Sequence, residues 1–169
     1  GMNAPAPPDL LVRYRADGVT HWGLDRGDHL ERWTDAPWSG GRPSGPHDPA
    51  ASPRLTPCVP GKIICIGLNY IEHVKESVTV LPGTTAPPAE PLFFFKPATA
   101  ALATEGAIVK PSGLERLDPE GEVAIVIGRT AKDVSESDAL AHVAGVTAFN
   151  DVSARDWQRR DGLWARAKG

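Results

Sequence analysis

Asp118-Pro119-Glu120-Gly121-Glu122-Val123-Ala124-Ile125-Val126-Ile127-Gly128 is the stretch on which the fold turns. It passes from a polar opening into a run that is apolar on both faces, the pattern of a buried strand. Residues two apart on a strand share a face, with Cα atoms ~6.5–7 Å apart. Glu120 and Glu122 therefore aim their carboxylates at one place. Two like charges at a partly buried site repel and are costly to desolvate unless one is protonated or a cation lies between them. A solvated strand end, with Asp118 completing a polar edge, explains the pair equally well.

C-terminal to this strand, Ser135-Glu136-Ser137-Asp138 has the hydroxyl and early acids of a helix start. That helix should end near Gly145. Val146 to Phe149 reads as a strand, and Ser153 can cap a last helix running through Arg160. Asp151 stands where strand gives way to helix, a usual place for a cap or an Asx-turn.

On the N-terminal side, Gly61-Lys62-Ile63-Ile64-Cys65-Ile66-Gly67 has the character of a buried strand, with Cys65 as a free buried thiol. Leu68 to Glu76 is helical in character, Pro82 to Pro91 is a loop, and Leu92 to Phe95 is a strand stopped by Pro97. His73 and Glu76, three apart, share a helical face. On spacing alone they suit an exposed helix pair, or an acid that orients an imidazole and raises its basicity. Prolines 43, 46, 49, 53, 57 and 60 rule out a helix or a central strand. They mark a linker, so residues 2–60 form an N-terminal piece and 61–169 the main domain. Leu10–Arg15 and Val19–Leu24, each followed by turn residues, make that piece a small β-meander leading to Leu30–Trp33. His21, His29 and His47 have no partner at metal-ligand spacing and read as surface or packing residues.

The 169 residues suffice for one sizeable core, and a net charge of −3 leaves no basic footprint for nucleic acid. No apolar run approaches the ~20 residues that span a bilayer, so no membrane partner is expected. Cys58 and Cys65 form neither a CxxC motif nor a disulfide framework, which suits a reducing cytoplasm.

From Gly61 onward, six motifs follow one another in the order of a known family. They are Gly67-Leu68-Asn69-Tyr70-Ile71-Glu72-His73, Pro91 to Pro97 around Phe94 and Lys96, and Asp118-Pro119-Glu120-Gly121-Glu122-Val123. Val143-Ala144-Gly145-Val146 through Asn150-Asp151, Ser153-Ala154-Arg155-Asp156-Trp157-Gln158, and Ala167-Lys168-Gly169 complete the series. Together they resemble the fumarylacetoacetate hydrolase family. Val123 replaces a usual Leu, Val146 stands where Tyr is common, and the loop after Glu76 is longer than usual.

The resemblance implies an α+β, mostly β fold: a mixed β-roll with peripheral helices, assembled as a homodimer. It implies metal ligands at Glu120, Glu122 and Asp151. Such hard oxygen donors suit Mg²⁺, Mn²⁺ or Ca²⁺. It makes His73 and Glu76 a water-activating dyad, and Lys168 the cation that stabilises developing negative charge. Gln158 and Lys96 become substrate contacts, whereas Arg155 and Asp156 are expected to form a structural pair and Trp157 and Trp164 to pack. The substrate is then a 2-oxo acid, and the favoured reaction is metal-dependent hydrolysis of a carbon–carbon bond in an acylpyruvate-like molecule. Decarboxylation or isomerisation of a 2-hydroxy-diene dioate or oxaloacetate, or hydration of a 2-oxo sugar acid, would use the same chelate. A reading from another class is an inactive binding or structural remnant. Family domains continue through further strands beyond the segment matched by Ala167-Lys168-Gly169, so these residues are expected to belong to a longer chain.

Overall fold

The computed structural model describes residues 9–70 and 88–169, which are built mostly of strands. The chain forms two compact units that interleave along the sequence. One comprises Gly1–Cys58, Leu102–Ala107 and Val123–Ala148; the other comprises Val59–Ala101, Ile108–Glu122 and Phe149–Gly169.

In the first unit, β1 (Leu11–Ala16), β2 (Val19–Asp25), β3 (His29–Trp33) and β4 (Pro43–Pro49) form an antiparallel sheet in sequence order. Asp17 and Gly18 turn the first hairpin at φ 52° and 74°, the left-handed geometry that matches strand twist. The expected meander thus acquires a fourth strand, drawn from the proline-rich stretch. Proline is tolerated there because β4 is an edge and its missing N–H is not required on the outer side. Tyr14 and Leu30 are fully buried beneath the sheet. The Tyr14 hydroxyl donates to Asp48 at 2.5 Å, and Arg32 closes on the same carboxylate through Nε at 2.8 Å. Burial, then the Asp48 contact, pushes the Tyr14 hydroxyl up to about 12.

β8 (Gly121–Ile127) pairs with β9 (Val143–Asn150). The expectation of burial on both faces is corrected: Val123, Ile125 and Ile127 are 67, 61 and 59% exposed. The ribbon has only two strands, and among the described residues no layer covers that face. The α-helix expected from Ser135 to Gly145 is instead a 3₁₀ helix, Glu136–His142. The Ser135 hydroxyl makes no backbone cap; it donates to the Asp138 carboxylate at 2.7 Å.

In the second unit, β5 (Ile63–Gly67) pairs antiparallel with β6 (Leu92–Lys96). β7 (Leu117–Asp118) pairs antiparallel with β10 (Ser153–Ala154), setting Ser153 opposite Asp118. Two short helices follow, α1 (Arg155–Asp161) and α2 (Ala165–Lys168). Gly162, at φ 66°, ends the first. Ser153 does not cap α1, since Ala154 occupies that position and Ser153 lies in β10. Leu114, Ala154 and Ala167 form a small core, with Leu117 and Trp157 packed against it. The Trp164 ring meets Phe94 edge-on at 5.2 Å. Residues 68–70 are turn and bend rather than helix, with Leu68 at φ 55°; the remainder of the helix expected to Glu76 lies outside the described residues. No helix among the described residues is long and apolar enough to cross a membrane.

Gly41 shows how tightly the first unit is folded. A Cβ there would lie 1.8 Å from the Asp35 carbonyl oxygen, whereas one on Gly61 would meet nothing within 4 Å. Gly41→Ala is expected to cost about 1–3 kcal/mol through forced backbone movement, and Gly61→Ala less than about 0.5 kcal/mol. Urea unfolding of the two variants measures the contrast, and equal midpoints would contradict it.

Candidate functional site

Backbone hydrogen bonds in the second unit lay the Glu120 stretch beside the Asn150-Asp151 dipeptide. The Asp151 N–H donates to the Glu120 carbonyl at 2.8 Å, and the Glu120 N–H donates to Asn150 Oδ1 at 3.0 Å. The β7–β10 bridge continues the same pairing. Two acids far apart in sequence are thereby held side by side.

α2 then returns Lys168 to them. Its ammonium lies 2.6 Å from Glu120 Oε2, 2.6 Å from Asp151 Oδ2 and 2.6 Å from Ser153 Oγ. Lys168, Asp151 and Ser153 are all buried, at 3, 4 and 0% exposure. The two carboxylate oxygens share one nitrogen, so they are at most twice that distance apart. Ser153 Oγ also lies 2.9 Å from Glu120 Oε2 and 3.0 Å from the Asp151 carbonyl, and its single proton can serve either acceptor. The buried Lys96 ammonium, at the end of β6, stands 2.8 Å from Asp151 Oδ1 and donates to the Val152 carbonyl at 3.1 Å. Its approach to Asp151 is an ion pair without hydrogen-bond alignment, which leaves Asp151 Oδ1 buried with no hydrogen bond.

A third cation borders the cluster. Arg155 Nε donates to Asp118 at 3.0 Å, Nη1 to Gln158 Oε1 at 2.9 Å, and Nη2 to Glu120 Oε1. The expected Arg155–Asp156 pair is therefore corrected. Successive residues of a helix do not face each other, and Asp156 turns away to accept the backbone N–H groups of Glu115 at 2.6 Å and Arg116 at 3.3 Å. Burial alone would raise the Glu120 carboxyl, but Lys168 and then Arg155 outweigh it and hold the group at about 2. At Cys65, burial and then the Asp151 charge push the thiol up to about 11. Glu122 also contributes to that rise, so its charge is felt at the same place.

Glu120, Asp151, Lys168 and Lys96 thus meet in one cluster, and Gln158 joins it through Arg155. Glu122 is half-buried on β8. His73 and Glu76 lie outside the described residues. Among the described residues, no three His, Cys, Asp or Glu side chains are gathered as a metal would require. The chemistry of Glu120 and Asp151 nonetheless fits a hard divalent cation. They are two carboxylates, Asp151 buried and Glu120 half-buried, already focused on one positive charge, and one Asp151 oxygen accepts no hydrogen bond. Ser153 and Arg155 were not singled out as site residues from sequence. The signal for Arg155 was its place at a strand-to-helix junction beside an acid that cannot face it.

Comparison with known proteins shows the family. The family model described as the fumarylacetoacetate (FAA) hydrolase C-terminal matches residues 62–169. The chain is 51% identical over 104 residues to a fumarylacetoacetate hydrolase domain-containing protein 2 homolog of Dictyostelium discoideum, covering 62% of this chain and 32% of that protein. It is 42% identical over 101 residues to the human mitochondrial oxaloacetate tautomerase FAHD2A, covering 60% of this chain and 30% of that protein. The fold superposes on a 2-hydroxyhepta-2,4-diene-1,7-dioate isomerase from Mycobacterium marinum with a TM-score of 0.81 at 32% identity, covering 96% of this chain and 61% of that one. The chain spans less than two thirds of the length of each.

Lys168→Met tests the electrostatics directly. Without the ammonium, the buried Asp151 and the half-buried Glu120 have less counter-charge, and stability at neutral pH should fall by ~3–5 kcal/mol. The folded value of the Glu120 carboxyl, about 2, is below its ordinary 4.5. Its contribution is therefore complete above the ordinary value and lost as pH falls toward the folded one. Chemical denaturation between about pH 6 and pH 2 should show a flatter acid limb in the variant. An unchanged acid limb would show that Lys168 does not hold Glu120 ionised.

Proposed function

The chain belongs to the fumarylacetoacetate hydrolase family, and from that premise we propose that it carries the cation-binding part of an enzyme that moves protons on an enolisable 2-oxo acid, as an isomerase or tautomerase. The observation behind this reading is the buried Lys168 ammonium held by Glu120, Asp151 and Ser153. An isomerase and a tautomerase among its relatives and structural neighbours point the same way.

Enolisation needs a place for negative charge on oxygen and a group that exchanges a proton with carbon. A hard divalent cation at Glu120 and Asp151, with Glu122 as a third carboxylate, would supply Lewis-acid stabilisation of enolate charge. Mg²⁺, Mn²⁺ and Ca²⁺ all suit these donors. Lys168 serves as the proton-exchanging group, since its Nζ lies among three oxygens that keep it oriented. The Phe94 ring, 4.9 Å from that nitrogen, covers one side of the ammonium with an apolar surface. Lys96 adds a second buried positive charge, which favours a substrate carboxylate. Gln158 completes the polar wall.

A second reading is hydrolysis of a carbon–carbon bond in an acylpyruvate-like substrate. The His73 and Glu76 pair in the sequence favours it, because hydrolysis requires water to be activated and tautomerisation does not. Both reactions would share the enolate.

Enol–keto exchange of oxaloacetate by the intact protein, followed by ultraviolet absorbance with and without Mg²⁺, separates the two. Lys168→Ala should slow the exchange by roughly 10²–10⁴-fold, and His73→Ala should leave it near normal. A protein that cleaves acylpyruvate through His73 but leaves the oxaloacetate enol untouched would overturn the first reading in favour of the second.

A further inference from the structure

The Lys168 ammonium spends its three N–H groups on Glu120, Asp151 and Ser153, which fixes the head of the side chain. The head sits on a flexible four-carbon stem. That stem leaves α2, a helix of one turn, and one turn does not hold its own shape in water. Trp164 stands at the N-cap of this turn and meets Lys168 from two directions. Its carbonyl accepts the Lys168 backbone N–H at 2.9 Å, the bond that closes the turn. Its ring packs edge-on against Phe94, at 5.2 Å between centroids and 75° between planes. The Phe94 ring in turn lies 4.9 Å from the Lys168 ammonium. Strand register decides that Phe94 is the ring available. It pairs with Cys65 and shares a face of β6 with Lys96, whereas Phe93 and Phe95 alternate to the other face, where both are exposed. The indole itself fits a slot left by Gly67. A Cβ there would stand 3.2 Å from Trp164 Cζ3 and 3.3 Å from Leu92 Cδ2.

We infer that Trp164 is a positioning residue for Lys168, closing the turn that carries it and holding Phe94 as a wall beside its ammonium. This goes beyond the packing role that its aromatic character alone suggests. The use of that placement rests on the proposed reading of Lys168 as the proton-exchanging group; the placement itself does not.

Acetic anhydride labelling of the intact, metal-free protein, read lysine by lysine by peptide mass spectrometry, tests the placement without turnover. Lys96 is the internal control, since it is also buried but is held by Asp151 and the Val152 carbonyl. Trp164→Leu should speed acetylation of Lys168 relative to Lys96 by about tenfold or more, as local opening of the turn requires. Trp164→Phe restores an aromatic edge against Phe94 and should return the ratio to within about threefold of wild type. Gly67→Ala crowds the indole without altering it and should raise the ratio by about twofold or more. A merely structural role would speed both lysines together. That result overturns the inference, as does an unchanged ratio in Trp164→Leu or, should that variant fail to fold, in Gly67→Ala. In oxaloacetate enol–keto exchange, Trp164→Leu should lower kcat by about tenfold or more and leave KM within about twofold of wild type. An unchanged kcat in an active enzyme also overturns the inference. A wild type with no exchange activity would sink the proton-transfer reading alone, because the labelling ratio decides the placement by itself.

Discussion

Holding Glu120 and the buried Asp151 side by side, largely out of water, is the constraint on which the second unit depends. Two carboxylates withdrawn from water cost several kcal/mol each unless positive charge and hydrogen bonds replace the solvent. The chain supplies both. Lys168 stands between them, Lys96 faces the far side of Asp151, Arg155 holds the far side of Glu120, and Ser153 fills the remaining gap. That demand explains features that look incidental alone. β7 and β10 are only two residues each, yet their pairing sets the two acids in register. α2 is a single turn, yet it carries the ammonium. Gly162, in the left-handed conformation, ends α1 ahead of the turn that carries Lys168.

The acids of this arrangement were legible through the family resemblance rather than through periodicity. Strand spacing left Glu120 and Glu122 equally open as a solvated edge and Asp151 as a cap or turn, and Glu120 in fact lies between β7 and β8 rather than on a strand. The cations were less legible. A lysine at the end of a strand, like Lys96, is normally solvated, and only the tertiary packing that buries it reveals its role. Ser153 read as a helix cap because a hydroxyl before an amphipathic run usually is one. Here its hydroxyl is taken by buried carboxylate and ammonium groups, a stronger set of partners than one backbone N–H. His73 and Glu76 remain readable only as sequence.

Elsewhere the departures share one cause, the number of layers each element meets. Apolar residues on both faces of β8 suggested two-sided burial, and the strand instead shows Val123, Ile125 and Ile127 outward from a two-stranded ribbon. β6 does the same with Phe93 and Phe95, both 61% exposed. Faces of this composition have the chemistry of surfaces that are covered in a larger core or interface. Periodicity reports what a face prefers, and the contacts available decide what it receives.

The site also sets a limit on how its residues can be interpreted. Glu120, Asp151, Lys168 and Arg155 form one connected network, so removing any member strips its neighbours of counter-charge as well as removing a chemical function. A loss of turnover alone therefore cannot assign a role to any of them. What distinguishes the roles is direction. The lysine neutralises both acids and removing it changes how Glu120 titrates, whereas the arginine commits one oxygen of Glu120 and one end of Gln158 and so changes which atoms face inward. The first is a matter of charge and of a proton that the amine can exchange. The second is a matter of geometry, which only a planar donor with several N–H groups can supply.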